Sequence, residues 1–289
     1  MIPASFDYYR PQTIDEAIQL LGQHGEDAKI LAGGHSLIPM MKLRLAEPAV
    51  LIDIGRISGL AGIRESNGQI AIGALSTYHS LESSDTLRSR APVISEAAAL
   101  VGDVQVRNRG TIGGSLTHAD PGADLPAVIL ALDATMKLRG ANGERSVPAS
   151  EFFVEMMTTA VRPDELLTEV QAPSLPPRSG SVYLKHPNPA SGYSVVGVAA
   201  IVTLGADGVC QNVRIGISGA GPMPVRASAA EAVLRSQQPT DENIARAAGR
   251  AAEGIETLDD IHASSEYRAH LVEVYTRRAL AEAVRRARG

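Results

Sequence analysis

The sequence predicts an α+β protein, and three observations carry that expectation. A short strand–helix unit opens the chain, three strand-like runs crowd between Ser181 and Gly219, and the remainder beyond Gly219 reads as helix. Strands and helices are thus partly segregated along the chain, which favours α+β over a doubly wound sheet.

The first helix is announced by "QTIDEAIQLLGQHG". Thr13 stands at an N-cap with Glu16 three residues on, a capping-box spacing, and Ile14, Ala17, Ile18 and Leu21 fall on one face. Gly22 with Gly25 is expected to end it. "AKILA" comes next as a short strand, "SLIPMMKLRL" as a helix with an early proline, and "AVLIDI" as a strand that closes a first lobe near Ile54. A second lobe starts with the strand "QIAIGALST", continues through the helix "APVISEAAALVG" and reaches a glycine-rich bend, "GTIGGSLTHAD". A helix near Leu125 to Leu132, the strand "ATMKLR" and the strand "DELLTEVQAP" complete it. The proline-rich joint "APSLPPRSG" marks the domain boundary. Beyond it "SVYLKH", "VVGVAAIVTL" and "VCQNVRIGISG" read as three strands of one sheet, and the tail from Pro224 to Arg288 as helix.

Composition excludes several classes of function. A formal net charge of −5, 3% aromatic residues and no Trp argue against a nucleic-acid partner, which needs basic surface and stacking platforms. One cysteine, Cys210, makes no internal disulfide and no iron–sulfur or zinc centre, so such a centre belongs on another chain. No window holds the roughly 20 apolar residues of a spanning helix. "MIPASFDYYRPQTIDEA" shows no basic-then-apolar signal segment, so a cytoplasmic setting is the expectation.

The chemistry concentrates in two glycine segments. A strand-to-helix turn leaves backbone N–H groups unpaired at the positive end of the helix dipole, and glycine lets a phosphate approach them. "AGGHS", Ala32 to Ser36, has that build, and "GTIGGSLTHAD", Gly110 to Asp120, adds the hydroxyls of Thr111, Ser115 and Thr117. Two such loops suit a diphosphate gripped from both lobes. Neither carries the G-x-G-x-x-G fingerprint of the dinucleotide fold or the Walker lysine.

The pair "LAGGHSLIPMMKLRLAEP" and "QVRNRGTIGGSLTHADPGADLPA" resembles the FAD-binding medium subunit of the molybdenum hydroxylase family, the group of aerobic carbon monoxide dehydrogenase and xanthine dehydrogenase. The resemblance covers essentially the whole chain, including "IGISGAGPMPVRA" and the helical tail. It implies a two-subdomain FAD-binding fold of the vanillyl-alcohol-oxidase/PCMH type over 1–55 and 56–175. A smaller C-terminal domain with a three-stranded sheet and helices is implied over 178–289. It implies non-covalent FAD against Ala32, Gly33, Gly34, His35 and Ser36, with Lys29, Ile30 and Leu31 leading in along the strand. Thr111, Gly113, Gly114 and Ser115 would form the second cradle, with Val101, Thr117 and His118 within reach. Asp124 would receive ribityl or ribose hydroxyls, Leu167 and Lys185 would flank the isoalloxazine, and Tyr193 would lie beside the ring. A cation such as Lys185 near the ring carbonyl edge would stabilise the reduced anion.

No catalytic residue and no metal ligand is expected in this chain. The implied work is electron transfer, from the [2Fe–2S] clusters of a small subunit to an external acceptor, after oxidation at a molybdopterin-containing large subunit. A dimer of heterotrimers is the implied assembly. A free-standing FAD oxidase and a cofactor-free structural subunit are the alternatives. "HPNPASG", between Lys185 and Tyr193, departs from the carbon monoxide dehydrogenase branch, so carbon monoxide is not implied as the substrate.

Overall fold

A computed structural model describes residues 2–289, and its strands form three main sheets that succeed one another along the chain. The first lobe comprises β1 (Asp7–Tyr9), α1 (Ile14–His24), β2 (Ala28–Leu31), α2 (Leu37–Lys42) and β3 (Val50–Asp53). Its sheet is parallel, in the order β1-β3-β2, so β2 lies on an edge. Thr13 caps α1 by accepting the Glu16 N–H at 3.2 Å, while the Glu16 carboxylate accepts from Gln12 N, one residue earlier than in a strict capping box. Gly22 stays inside α1, and the helix ends at Gly25, whose positive φ of 52° turns the chain. Strand β1 carries no alternation because all three of its residues are exposed; β3 holds it, and the Tyr8 hydroxyl donates to the Asp53 carboxylate.

The second lobe comprises β4 (Ile63–Ser66), β5 (Gln69–Gly73), α3 (Tyr78–Ser83), α4 (Asp85–Arg90), α5 (Pro92–Ala99), α6 (Val104–Arg107), α7 (Ile112–His118) and α8 (Leu125–Ala131). It continues with β6 (Thr135–Gly140), β7 (Gly143–Pro148), α9 (Ala149–Phe152), β8 (Phe153–Glu155), β9 (Thr158–Thr159) and β10 (Glu165–Pro173). Its main sheet is antiparallel, β4-β5-β10-β6-β7. The glycine-rich stretch expected as a bend is itself helical: α7 is capped by Thr111, which accepts from Gly114 N. Two helix-poor glycines are tolerated there because the cap and the packing outweigh their roughly 1 kcal/mol propensity cost each.

The C-terminal part comprises β11 (Ser179–Pro187), β12 (Ser194–Leu204), β13 (Cys210–Ser218), β14 (Val225–Arg226), α10 (Ser228–Leu234), α11 (Asp241–Ala248) and α12 (Ser265–Arg288). The short β14 extends the expected three-stranded sheet. The tail is not helical throughout, since residues 249–264 run without α-helix between α11 and α12.

Strand β12 is buried along its whole length, which is why it reads as an unbroken apolar run. Ala199 and Ile201 join the core of the second lobe, while Val198, Ala200 and Val202 join that of the C-terminal part. The sheet thus lies between α8 on one face and α12 on the other. Close approach on the α8 side depends on Gly216, where a Cβ would overlap the Ala127 carbonyl. Arg226 adds a polar tie, pairing with Asp133 and Glu231 and donating to Leu130 O. Gly216→Val should therefore force β13 off α8 and cost about 1–3 kcal/mol of overpacking. Urea denaturation would read this, and an unchanged midpoint would refute the packing.

Candidate functional site

The two glycine segments meet each other. A Cβ at Gly33 would overlap the carbonyl oxygen of Arg109 and lie 2.9 Å from Gly110 Cα, so the bare backbone of Gly33 is what lets the first lobe touch the second. Gly34 takes a positive φ of 76°, which suits glycine, and the next turn leads into α2. The N–H groups of Gly33, Gly34, His35 and Ser36 make no hydrogen bond among the described residues. Four successive free donors ahead of a helix form an anion-binding concavity. His35 braces the turn, its Nδ1 lying 3.1 Å from Gly33 O. Lys29, Ile30 and Leu31 lead in along the edge strand β2, and Ala32 packs on the first-lobe core.

The second segment is built differently. At the start of α7, Ile112 N donates to Ser76 O (3.0 Å), Gly113 N to Ala74 O (2.8 Å) and Gly114 N to the Thr111 hydroxyl oxygen (3.1 Å). The N–H groups of Gly113, Gly114 and Ser115 are thus engaged within the protein, and that of Thr111 has no partner among the described residues. Gly113 is glycine because a Cβ would sit 2.7 Å from Ala74. What this segment still offers is hydroxyl chemistry, from Thr111 and from Ser115. Thr117 bonds back to Gly113 O at 2.8 Å, and it lies with His118 at the far end of α7.

Behind both segments lies a buried charge pair. Asp124 Oδ1 accepts the hydroxyls of Tyr183 and Ser194, both at 2.6 Å, and Oδ2 accepts Lys185 Nζ at 2.9 Å. Lys185 donates its other protons to Leu100 O (2.8 Å) and Gly192 O (2.7 Å). The two side chains are 4% and 5% exposed. Burial pushes the Asp124 carboxyl above its ordinary range, with the Lys185 ammonium as the largest opposing influence. All three ammonium protons are thereby engaged on acceptors within the protein. Asp124 likewise serves first as acceptor for three protein donors, leaving at most one lone-pair position for a ligand hydroxyl.

Tyr193 closes the arrangement. Its ring lies along Gly122, with Cδ1 3.1 Å from where a Cβ would stand, and its hydroxyl lies by Ser36 of the first loop. Burial, then the nearby Asp120 carboxylate, raises its pKa. Val101 is next to Leu100 at the turn that receives Lys185. Leu167 is buried in the second-lobe core and reaches the site only through backbone: Thr168 O accepts from Ala74 N, and Ala74 O from Gly113 N.

Sequence reasoning missed Tyr78, Tyr183 and Ser194. Tyr78 packs on Gly110 with its phenol beside Ser115, and burial pushes its pKa up to about 12. Its place directly after the Thr77 cap carried a structural signal but no chemical one.

A glycine loop with free donors at a lobe junction, backed by a buried charge pair from a third sheet, defines a protein that holds an anionic cofactor. Residues 4–175 match the family described as FAD binding domain in molybdopterin dehydrogenase, and residues 181–283 match the CO dehydrogenase flavoprotein C-terminal domain. The chain belongs to this family of flavoprotein subunits of molybdenum-containing dehydrogenases. It is 42% identical over 288 residues to subunit alpha of the 6-hydroxypseudooxynicotine dehydrogenase complex of Paenarthrobacter nicotinovorans, covering 100% of this chain and 97% of that one. It is 39% identical to the carbon monoxide dehydrogenase medium chain of Hydrogenophaga pseudoflava, over 97% of each. A solved structure of carbon monoxide dehydrogenase from the same organism superposes with a TM-score of 0.96, at 41% identity over 99% of each chain. Among the described residues no helix is long and apolar enough to cross a membrane.

Removing one member of the buried pair strands the other. Asp124→Leu should cost about 3–5 kcal/mol, and adding Lys185→Met should restore much of it. A double variant no more stable to urea than the single one would show that the pair is not coupled.

Proposed function

We propose that this chain is the FAD-carrying electron-transfer subunit of a molybdenum hydroxylase complex. Electrons arrive from the [2Fe–2S] clusters of a small subunit, after substrate oxidation at a molybdopterin-containing large subunit, and leave to an external acceptor. The proposed setting is the cytoplasm and the proposed assembly a dimer of heterotrimers. The observation that carries the reading is the row of four unengaged N–H groups at Gly33–Ser36, pressed against the opposite lobe through Gly33 and Arg109.

The residues present fit a flavin dinucleotide. Free N–H groups at the start of α2 suit the diphosphate. Hydroxyls of Thr111 and Ser115 face the same junction from the second lobe, and Tyr193 supplies an aromatic wall beside Ser36. FAD, when bound, supplies a centre that takes up and releases electrons. The rest is positioning by this chain. Residues 1–55 and 56–175 act as the two gripping subdomains and 178–289 as the domain that brings Lys185 and Tyr193. Lys185 and Asp124 hold the turns at Leu100 and Gly192 in place, and so fix Tyr193. His35 braces the loop through Gly33 O and is not a covalent anchor.

The purified chain should be yellow, and acid precipitation should release free FAD to the supernatant. Colour retained by the pellet would establish a covalent flavin and point to His35. A colourless chain that takes up no added FAD would remove the reading. Gly33→Val should separate the two loops and lower FAD occupancy severalfold in a chain that still folds. Full occupancy in that variant, read from the flavin-to-protein absorbance ratio, would show that the junction does not hold the cofactor.

A further inference from the structure

The arginines of α12 mostly face outward, and Arg268, one turn beyond the Ser264 cap, is the exception: it is 4% exposed. A guanidinium so far from water must find acceptors, and these come from three segments. Nη1 donates to Val195 O at 2.7 Å and to Gly219 O at 2.6 Å, and Nη2 donates to the Asp260 carboxylate at 2.7 Å. One planar fork thus joins the start of β12, the residue after β13 and the loop ahead of α12.

The two carbonyls belong to a junction that leads to the cofactor side. Gly219 N donates to Pro121 O at 2.7 Å, and Ser194 N, next to Val195, donates to Gly122 O at 3.0 Å. The same two strand ends that Arg268 grips therefore hold the turn between α7 and α8. They are also pressed together: Gly219 has a φ of 77°, and a Cβ there would stand 2.6 Å from Ser194 O and 2.7 Å from Val195 O. Crowded carbonyl oxygens repel, and a shared donor offsets that repulsion. Asp120 closes the turn by accepting Gly122 N at 2.9 Å. Asp124 lies two residues beyond Gly122, and Tyr193, whose ring runs along Gly122, directly precedes Ser194. Arg268 makes no hydrogen bond to Asp124 or Tyr193, so its influence on them passes through backbone.

Resting on the reading of this chain as the FAD subunit, we propose that Arg268 is a positioning residue for the flavin site. Through Val195 O and Gly219 O it fixes the Pro121–Gly122 turn against β12, and so sets where Asp124 and Tyr193 stand. Without it the strand ends and the turn separate, and the Tyr193 ring leaves the wall beside Ser36. The first glycine loop, seated against Arg109, keeps its four free donors. Loss of Arg268 thus leaves FAD bound but removes the phenol from the isoalloxazine. A lysine at 268 offers a single point of charge and cannot reach all three acceptors in the geometry of the fork.

A phenol touching an isoalloxazine quenches its emission, so fluorescence per bound flavin reads the place of Tyr193 separately from FAD content and from stability. The test uses the purified full-length chain with bound FAD and its Arg268→Met, Arg268→Lys and Tyr193→Leu variants, the Arg268→Met/Tyr193→Leu double variant, and Leu271→Ala. The last opens the C-terminal core on the same helix without touching the fork, and serves as a matched loss of stability. Emission is expected to rise severalfold in Arg268→Met and less in Arg268→Lys, with the double variant no brighter than Tyr193→Leu. Leu271→Ala should lower the urea midpoint and keep the parental emission. Parental emission in Arg268→Met, or in Arg268→Lys where the Met variant does not fold, overturns the proposal. Equal brightening in Leu271→Ala, additive brightening in the double variant, or a parent as bright as Tyr193→Leu overturns it too. A parent that takes up no FAD removes the flavoprotein reading itself, whereas unchanged emission from a parent and Arg268 variants that all hold FAD removes only the role of Arg268.

Discussion

The buried carboxylate of Asp124 constrains more of this molecule than any other single group. A charge that far from water is tolerable only with a counter-ion and a full set of donors. Those partners come from separate places: Tyr183 and Lys185 from β11, Ser194 from β12, with Leu100 and Gly192 accepting the remaining lysine protons. Satisfying one carboxylate therefore fixes the start of α8, the C-terminal sheet and two turns relative to one another. Tyr193, between Gly192 and Ser194, is held by that network on both sides and by its own backbone bonds to Asn188 and Ser191.

The glycine segments show that similar composition can serve different ends. In the first, Gly33 allows the lobes to touch and the donors beside it stay free. In the second, Ala74 and Ser76 approach so closely that their carbonyls consume the donors at the start of α7. The difference lies in what packs against each segment, and β5 with its adjoining turn is distant in sequence from both.

That contrast also marks how far the sequence was legible. Elements with a local signature read correctly: the Thr13 cap of α1, the apolar run of β12, the strand β10 ahead of the prolines. Three solvent-exposed residues in β1 carry no periodicity, and two adjacent glycines in α7 look like a turn, because tertiary pairing and packing decide both. Within the site, the first loop was legible from glycine ahead of a helix start. The roles of Lys185 and Asp124 were not, because a lysine and an aspartate 61 positions apart give no sign that they neutralise each other. Tyr78 and Tyr183 were invisible for the same reason: an aromatic residue in a capped helix start or a strand reads as core until its hydroxyl partner is known.

The C-terminal part contributes no glycine loop, yet the site cannot be complete without it. It is locked to the second lobe by the Gly216–Ala127 approach, by Arg226 on Asp133 and Leu130 O, and by Arg286 on Glu96. Glu96 in turn receives the N–H of Tyr183, whose hydroxyl reaches Asp124. A continuous chain of contacts thus runs from α12 through α5 and β11 to the wall of the site. Apolar packing crosses the same boundary, since Tyr183, Ala199 and Ile201 belong to the core of the second lobe. A cofactor gripped by both lobes and touched by Tyr193 would close that chain from the other side. Its binding energy would then add to the stability of the assembled chain in proportion to its occupancy, and would add little to any single lobe.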